Sequence, residues 1–302
     1  MSSHAYVTVN VFTDVRFGGN PLAVFPDAAG LTDAQMQTLA REFNYSETTF
    51  VLPPADPRHT ARVRIFTPTT ELPFAGHPNV GTGYVLASRA TALPEHFTFE
   101  EGSGLVRVHI LKGADGRPNG ARVSAPHSLS IGTAVPTETA AACASLESED
   151  IATMAHEPLV ASVGFPFVIA EVTSIAALSR AIPDVAAFRR AVHAIDALAG
   201  QLNLLLYVRV DGDATRLRAR VFAPLAGVLE DPATGSASAA LAALLTSLAP
   251  GDNVDLAYDI FQGEELGRPS RLLATARKTP EGPVLATVAG TCVGVMRGHV
   301  EV

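Results

Sequence analysis

The stretch RVRIFTP, residues 62–68, returns as RARVFAP at residues 218–224. This recurrence decides the fold. At an offset of 156, Arg62 aligns with Arg218, Arg64 with Arg220, Phe66 with Phe222 and Pro68 with Pro224. Seven residues match easily by chance, but GHPNVGTG (76–83) then aligns with EDPATGSA (230–237) at an offset of 154. Each copy runs strand, proline-containing loop, polar residue, proline, glycine and small hydroxyl, and then a small-residue helix. A repeat of about 150 residues is a duplicated domain rather than a solenoid unit. Two similar domains related by a pseudo-twofold are therefore expected. They are residues 1–127 and 128–290, with a last strand, about 291–302, returning to the first.

Both copies predict a helix that begins abruptly. His77 and Asp231 stand where an N-cap is expected, each followed by proline at N1, where a missing N–H costs nothing. The helices, 78–89 and 232–248, are rich in Gly, Ala, Ser and Thr and almost free of charge, so sheet should enclose them. No low-complexity linker divides the halves, and the turn-rich segment 124–141 is the expected crossover.

Around the repeat, strands and helices alternate. Residues 6–12 and 22–25 read as strands either side of the loop residues Gly18, Gly19, Asn20 and Pro21. Thr32 with Gln35 fits a capping box, and Met36, Leu39, Ala40 and Phe43 make one apolar face ending near Asn44. Strands follow at 47–52 and 61–67. The second half reads as strands (160–172), helix (185–199), strand (202–210) and three C-terminal strands (255–262, 270–277, 284–295).

Composition limits the partners. The 302 residues carry 22 Lys and Arg against 30 Asp and Glu, a net charge of −8. No basic cluster appears that would suit nucleic acid or an anionic membrane, which points to small-molecule ligands. The opening residues, MSSHAYVTVNVF, alternate like a strand and lack the basic and apolar regions of a signal peptide. The longest apolar run (159–170) is broken by Gly164 and Pro166 and is too short for a bilayer. Cys143 and Cys292 have no CxxC spacing, which suits a reducing compartment, so the expectation is cytoplasmic.

Chemistry gathers at the helix starts. A duplicated fold implies a cleft between the halves with two helix N-termini aimed across it, a setting for a carboxylate or enolate that would bring His77, Asp231, Gly76, Gly81 and Gly235 together. His77 and Asp231 are equally readable as simple caps. In NYSETTFV (44–51), Glu47 opens a strand among Ser46, Thr48 and Thr49, hydroxyls rather than salt-bridge partners. An exposed edge carboxylate is one reading. The other is a carboxylate desolvated in a closing cleft, its pKa raised into the range for taking and returning a proton. GSG at 102–104 lacks a dinucleotide fingerprint and no phosphate loop is present, so no cofactor is expected. His77, Asp231 and Glu47 contain the donors of a one-His, two-carboxylate metal site, but a helix N-terminus is a poor neighbour for a cation, and no metal is expected.

Five motifs, FGGNPLAV (17–24), NYSETTFV (44–51), FTPTTELPFAGHPNVGTG (66–83), EDPATGSASAAL (230–241) and FQGEELGRPS (261–270), resemble the phenazine-biosynthesis isomerase family known as PhzF, which shares its fold with diaminopimelate epimerase. The resemblance covers nearly the whole chain. It implies an α/β (α+β) protein of two barrel-like domains, each wrapped round a central helix, acting as a cofactor-independent isomerase and expected to be a homodimer. It further implies that Glu47 is the acid/base that moves a proton between carbons of dihydro-3-hydroxyanthranilate or an analogue bearing a carboxylate. His77 and Asp231 are implied as its catalytic companions, with Asn20, Ser46, Gly76, Gly235 and Ser236 on the substrate. The related epimerases and racemases use one cysteine per half at these helix starts. Neither motif here has one, so a single carboxylate making a suprafacial 1,3-type shift fits better than two-thiol racemisation. The alternative is a non-catalytic ligand- or protein-binding member of the fold.

Overall fold

Local chemistry sets the first helix as its sequence requires. The computed structural model describes residues 2–302. Thr32 accepts from the backbone N–H of Gln35, and Gln35 returns the bond to Thr32, closing a capping box. Asn44 ends the helix in the left-handed region at φ 52°, a conformation asparagine tolerates better than most residues.

The chain divides into two compact units, residues 1–126 with 288–302, and residues 127–287. The first contains β1 (Ser3–Val11), β2 (Asn20–Phe25), α1 (Asp33–Phe43), β3 (Glu47–Leu52), β4 (Ala61–Phe66), β5 (Glu71–Leu72), α2 (Gly76–Arg89), β6 (His96–Glu101), β7 (Gly104–Lys112) and β8 (Pro118–Ser124). The second contains β9 (Ser130–Ala134), α3 (Thr137–Cys143), β10 (Ile151–Ala152), β11 (Leu159–Ser162), β12 (Pro166–Val172), α4 (Ile175–Arg180) and α5 (Val185–Ala194). It continues with β13 (Leu204–Val210), β14 (Asp213–Ala223), β15 (Val228–Asp231), α6 (Gly235–Leu248), β16 (Val254–Gln262) and β17 (Ser270–Lys278), and the chain ends in β18 (Leu285–Glu301).

In the first unit the pairings form a ring. β1 lies between β2 and β18, β2 runs parallel to β3, and β3 is antiparallel to β4. β4 runs parallel to β6, which leads by hairpins to β7 and β8, and β8 pairs with β18 to close the barrel. Helix α2 packs against β1, β2, β7 and β8, which places it inside. Two glycines allow that fit. A Cβ on Gly81 would stand 2.5 Å from Leu22 Cδ2, and one on Gly83 2.7 Å from Val108 Cγ1. Gly81 is therefore a packing residue of the barrel core rather than the site residue the sequence suggested. Helix α1 covers the outside, sealing Phe25, Phe50 and Phe66 with Met36 and Leu39.

The second unit repeats the order. Parallel pairs β12/β13 and β14/β16 match β2/β3 and β4/β6, and antiparallel β13/β14 matches β3/β4. The short strand β15 folds back on β14 as β5 does on β4. Helix α6 touches β11 and β12 as well as β16 and β17, so this sheet also curls round its helix. Helices α3, α4 and α5 cover the outside over Leu178, Phe188, Leu204 and Phe222. Residues 160–172, expected as strands, form the hairpin β11/β12. The turn between them uses Gly164 at φ 142°, which a side chain rarely adopts. Residues 185–199, expected as one helix, stop at Ala194 and continue in a short 3-10 turn.

Among the described residues no helix is long and apolar enough to cross a membrane.

Candidate active site

The two central helices do not begin where the repeat alone placed them. Ala75 is the N-cap of α2, so His77 lies inside the first turn and Pro78 one position later. Proline is tolerated there because the first-turn N–H groups have no intrahelical acceptor in any case. Asp231 is the last residue of β15, and Thr234 is the N-cap of α6. Neither His77 nor Asp231 is an N-cap. The helix starts, Gly76 and Gly235, differ by 159 positions, so the copies part between strand and helix by an insertion in the second rather than a deletion.

In the first unit, Glu47 is the first residue of β3, paired in register with Leu22 of the parallel strand β2. Its Oε2 lies 3.4 Å from His77 Nε2, with the side chains 16% and 5% exposed. Burial pushes the His77 imidazole down to about 3, so near neutrality the ring is uncharged and the contact is no ion pair. The distance exceeds that of a normal hydrogen bond.

Neighbouring hydroxyls hold this arrangement. Thr49 and Thr82 share a 2.8 Å hydrogen bond that fastens β3 to α2, with both side chains fully buried. Ser46 Oγ donates to Asn20 Oδ1 at 3.3 Å, joining the start of β3 to the start of β2. The hydroxyls around Glu47 thus wire its strand to the helix that carries His77. Gly76 opens that helix. Asn79, also fully buried, donates through Nδ2 to the N-cap carbonyl of Ala75 at 3.0 Å.

Sequence reasoning missed Glu101. It ends β6, its carboxyl oxygens are buried, and burial raises it to about 8, offset only in part by the nearby Asn79 side chain. Its turn is pinned to the loop before α2 by the Ser103 N–H, which donates to Pro73 O at 3.0 Å. The adjacent Glu100 behaves oppositely. Backbone N–H groups of Ala55 and Asp56, with His59, hold it at about 2. A pair of adjacent glutamates leaves no pattern in sequence that says which one turns inward.

In the second unit, Asp231 Oδ2 accepts from Thr234 Oγ1 at 2.6 Å. Gln262, the last residue of β16 and 1% exposed, accepts from the Thr234 N–H at 3.1 Å and donates to Asp231 O at 2.7 Å. Gly235 and Ser236 follow as the first residues of α6. Gln262 belongs to the FQGEELGRPS motif, but nothing in the sequence tied it to Asp231, thirty-one residues away.

Both cysteines are buried and free, and burial raises both thiols, Cys143 to about 12. Such thiols are poor nucleophiles and poor acids. Among the described residues, no three His, Cys, Asp or Glu side chains converge as a metal-binding group.

Known proteins resemble this chain along nearly its whole length. The family model for phenazine biosynthesis-like proteins matches residues 9–298. A trans-2,3-dihydro-3-hydroxyanthranilate isomerase from Pseudomonas fluorescens is 36% identical, over 98% of this chain and 99% of its own. An uncharacterised isomerase of Mesorhizobium japonicum is 36% identical over 99% of both chains. The crystal structure of a Bacillus anthracis phenazine biosynthesis protein of the PhzF family superposes at a TM-score of 0.87, with 25% identity and full coverage of both chains. A hydroxyproline epimerase from Agrobacterium vitis shares the fold alone, at a TM-score of 0.59 and 16% identity over 99% of this chain and 92% of its own. The chain is thus an isomerase with an epimerase-like fold, and it belongs to the phenazine biosynthesis-like, or PhzF, family.

Proposed function

We propose that the protein moves a proton between two carbons of a small carboxylate-bearing metabolite, with Glu47 as general acid and base. The observation that carries this reading is the buried contact between Glu47 Oε2 and a His77 ring that burial keeps uncharged. An imidazolium at 3.4 Å would bind the carboxylate as an ion pair and lower its basicity. A neutral ring leaves the carboxylate basic and still offers one N–H or one lone pair to the proton in transit.

The steps balance without a redox partner. Glu47 takes a proton from an acidic C–H, and the electron pair delocalises into the adjacent unsaturated system as an enolate-like anion. The protonated Glu47, after exchange with solvent, then delivers a proton to a second carbon on the same face. His77 lies beside the carboxyl as an uncharged neighbour, and the first-turn N–H groups of α2 favour the developing negative charge. Asp231 is the second carboxylate proposed to act in this chemistry. Asn20 and Ser46, beside Glu47, and Gly76, Gly235 and Ser236, at the two helix starts, are the proposed substrate contacts.

The relatives support a substrate class. The Pseudomonas fluorescens protein, at 36% identity over nearly its full length, acts on trans-2,3-dihydro-3-hydroxyanthranilate, an amino acid with a carboxylate conjugated to a ring double bond. That compound or an analogue is the substrate proposed here, with no metal or organic cofactor. The test is turnover of this compound in D₂O, following solvent label in the product. Glu47→Gln keeps the shape and removes the base, and should lower kcat by about 10² to 10⁴ while ligand binding persists. Full turnover by that variant would falsify the assignment. A non-catalytic binding role predicts ligand binding without label exchange by the wild-type protein.

A further inference from the structure

The turn that joins β6 to β7 braces the start of α2 at two points. At one, the Ser103 N–H donates to Pro73 O at 3.0 Å, and Gly102 packs so closely on the same proline that a Cβ there would stand 3.0 Å from Pro73 Cα. At the other, the Glu101 carboxyl meets the side chain of Asn79. Asn79 is fully buried, and its Nδ2 donates to the N-cap carbonyl of Ala75 at 3.0 Å. Gly76 and His77 lie between these two points. A shift of the turn would therefore move the segment that carries His77, whose Nε2 is 3.4 Å from Glu47 Oε2.

The surroundings of the corner set the state of the acid. Both Glu101 oxygens are buried, and burial raises the group to about 8, with only the Asn79 side chain opposing. No charged neighbour compensates. Asn79 is neutral, and burial keeps His77 uncharged. Arg62 of β4 and Arg107 of β7 are exposed. Arg64 is engaged by Asp33 and Glu71, and Glu100 by the N–H groups of Ala55 and Asp56 and by His59. A neutral carboxylic acid offers a donor and an acceptor, as an amide does, so it can pair with Asn79 without burying a charge. An ionised Glu101 would place a negative charge beside the first turn of α2, where it would oppose the anion-favouring field of that helix start.

We propose that Glu101 is a positioning residue, bracing the first turn of α2 through Asn79 and so setting His77 against Glu47. It does this as the neutral acid. The proposal rests on the reading above in which Glu47 carries the proton. Glu101 touches no reacting atom in that scheme, and its effect on the reaction runs through the helix start alone.

The experiment measures kcat and KM from about pH 6 to 9 for the wild-type protein, Glu101→Gln and Glu101→Leu, with trans-2,3-dihydro-3-hydroxyanthranilate as the probe. Wild-type kcat should fall as pH rises through about 8, because the acid is neutral below that pH and ionised above it. Glu101→Leu should lose about 3- to 10-fold in kcat, the range for one hydrogen bond, with KM within about threefold. Glu101→Gln restores a donor and an acceptor, so it should recover most of that loss and abolish the alkaline fall. An alkaline fall that persists in Glu101→Gln overturns the proposal. A folded Glu101→Leu protein with wild-type kcat overturns it too.

A second measurement needs neither turnover nor the leucine variant. His77 is lowered to about 3 and does not itself titrate near pH 8. In protein labelled at histidine, its ring signals should nonetheless shift by NMR as pH passes about 8, and should stay level in Glu101→Gln. Level signals in the wild-type protein sink the proposal even if no probe is turned over. The two readings fail separately. Full turnover by Glu47→Gln removes the proposed function. A loss in Glu47→Gln, with a pH profile in Glu101→Gln identical to wild type, removes only this inference.

Discussion

The two copies of the repeated strand hold their aligned arginines in different company. Arg64 and Arg220 each stack over a phenylalanine two residues on, Phe66 at 5.0 Å and Phe222 at 4.9 Å. Each forms a two-pronged pair with a glutamate from the short return strand, Arg64 with Glu71 and Arg220 with Glu230. The third partner differs. Arg64 reaches Asp33 in the first turn of α1, whereas Arg220 donates to the carbonyls of Leu178 and Ala181 at the end of α4. One joins the carboxylate of a helix start and the other the negative end of a helix, so both satisfy the same guanidinium. Duplication preserved the clamp and allowed its outer contact to change.

Burial makes the two clamps unequal in energy. Asp33 and Glu71 are 82% and 42% exposed, but Glu230 is only 9% exposed. Exposed pairs contribute little, while removing one member of a buried pair leaves an uncompensated charge.

The comparison can be broken in several ways, beginning with the largest effect. The helix starts differ more than the clamps, so Glu47→Gln should cost about 10² to 10⁴ in kcat with little change in melting temperature. Asp231→Asn should cost less, because the proton transfer proposed here is carried by Glu47. Equal losses would make the two helix starts chemically equivalent. Next, Arg220→Leu should destabilise the protein by about 3–5 kcal/mol. Arg64→Leu should cost about 1 kcal/mol or less by urea unfolding. Equal costs would show that burial does not separate the clamps. Gly81→Ala should then destabilise by about 1–3 kcal/mol through overpacking against Leu22 and Val11. In α6 alanine already fills much of the core-facing surface, so Ala240→Gly should cost about 1 kcal/mol through helix propensity alone.

The pH dependence of stability offers two further effects, and they oppose each other within the first unit. His77 is lowered from 6.5 to about 3. The unfolded chain therefore binds the proton first, and stability is lost as pH falls from about 6.5 to 3. His77→Gln should flatten that limb. Glu101 is raised from 4.5 to about 8, so the folded protein keeps a proton that the unfolded chain releases. Stability then falls as pH rises from about 4.5 to 8, and Glu101→Gln should remove the decline. Unfolding of the three proteins in urea from pH 4 to 9 checks both signs, and a Glu101→Gln protein that still declines toward pH 8 would show that Glu101 is ionised when folded.

Much of this was legible in the residues themselves. Thr32, Gln35 and Asn44 bounded α1, since capping uses atoms within a few positions of one another. Glu47 was placed at the first residue of its strand, and the repeated RVRIFTP and RARVFAP marked two equivalent strands that do head the same topology in both units. The four strands β6, β7, β8 and β9 left a weaker signal, because a half-exposed strand alternates only loosely. The sequence by itself determined the duplication, the family and the residue types at the helix starts, because these depend on local spacing and short-range chemistry. Only the tertiary structure decided that His77 lies within its helix, that its ring is uncharged, that Glu101 turns inward beside Asn79, and that Gln262 reaches back to Thr234 and Asp231. Each of these depends on which groups from remote segments displace water around a side chain, and desolvation is a property of the packed fold that no local spacing records.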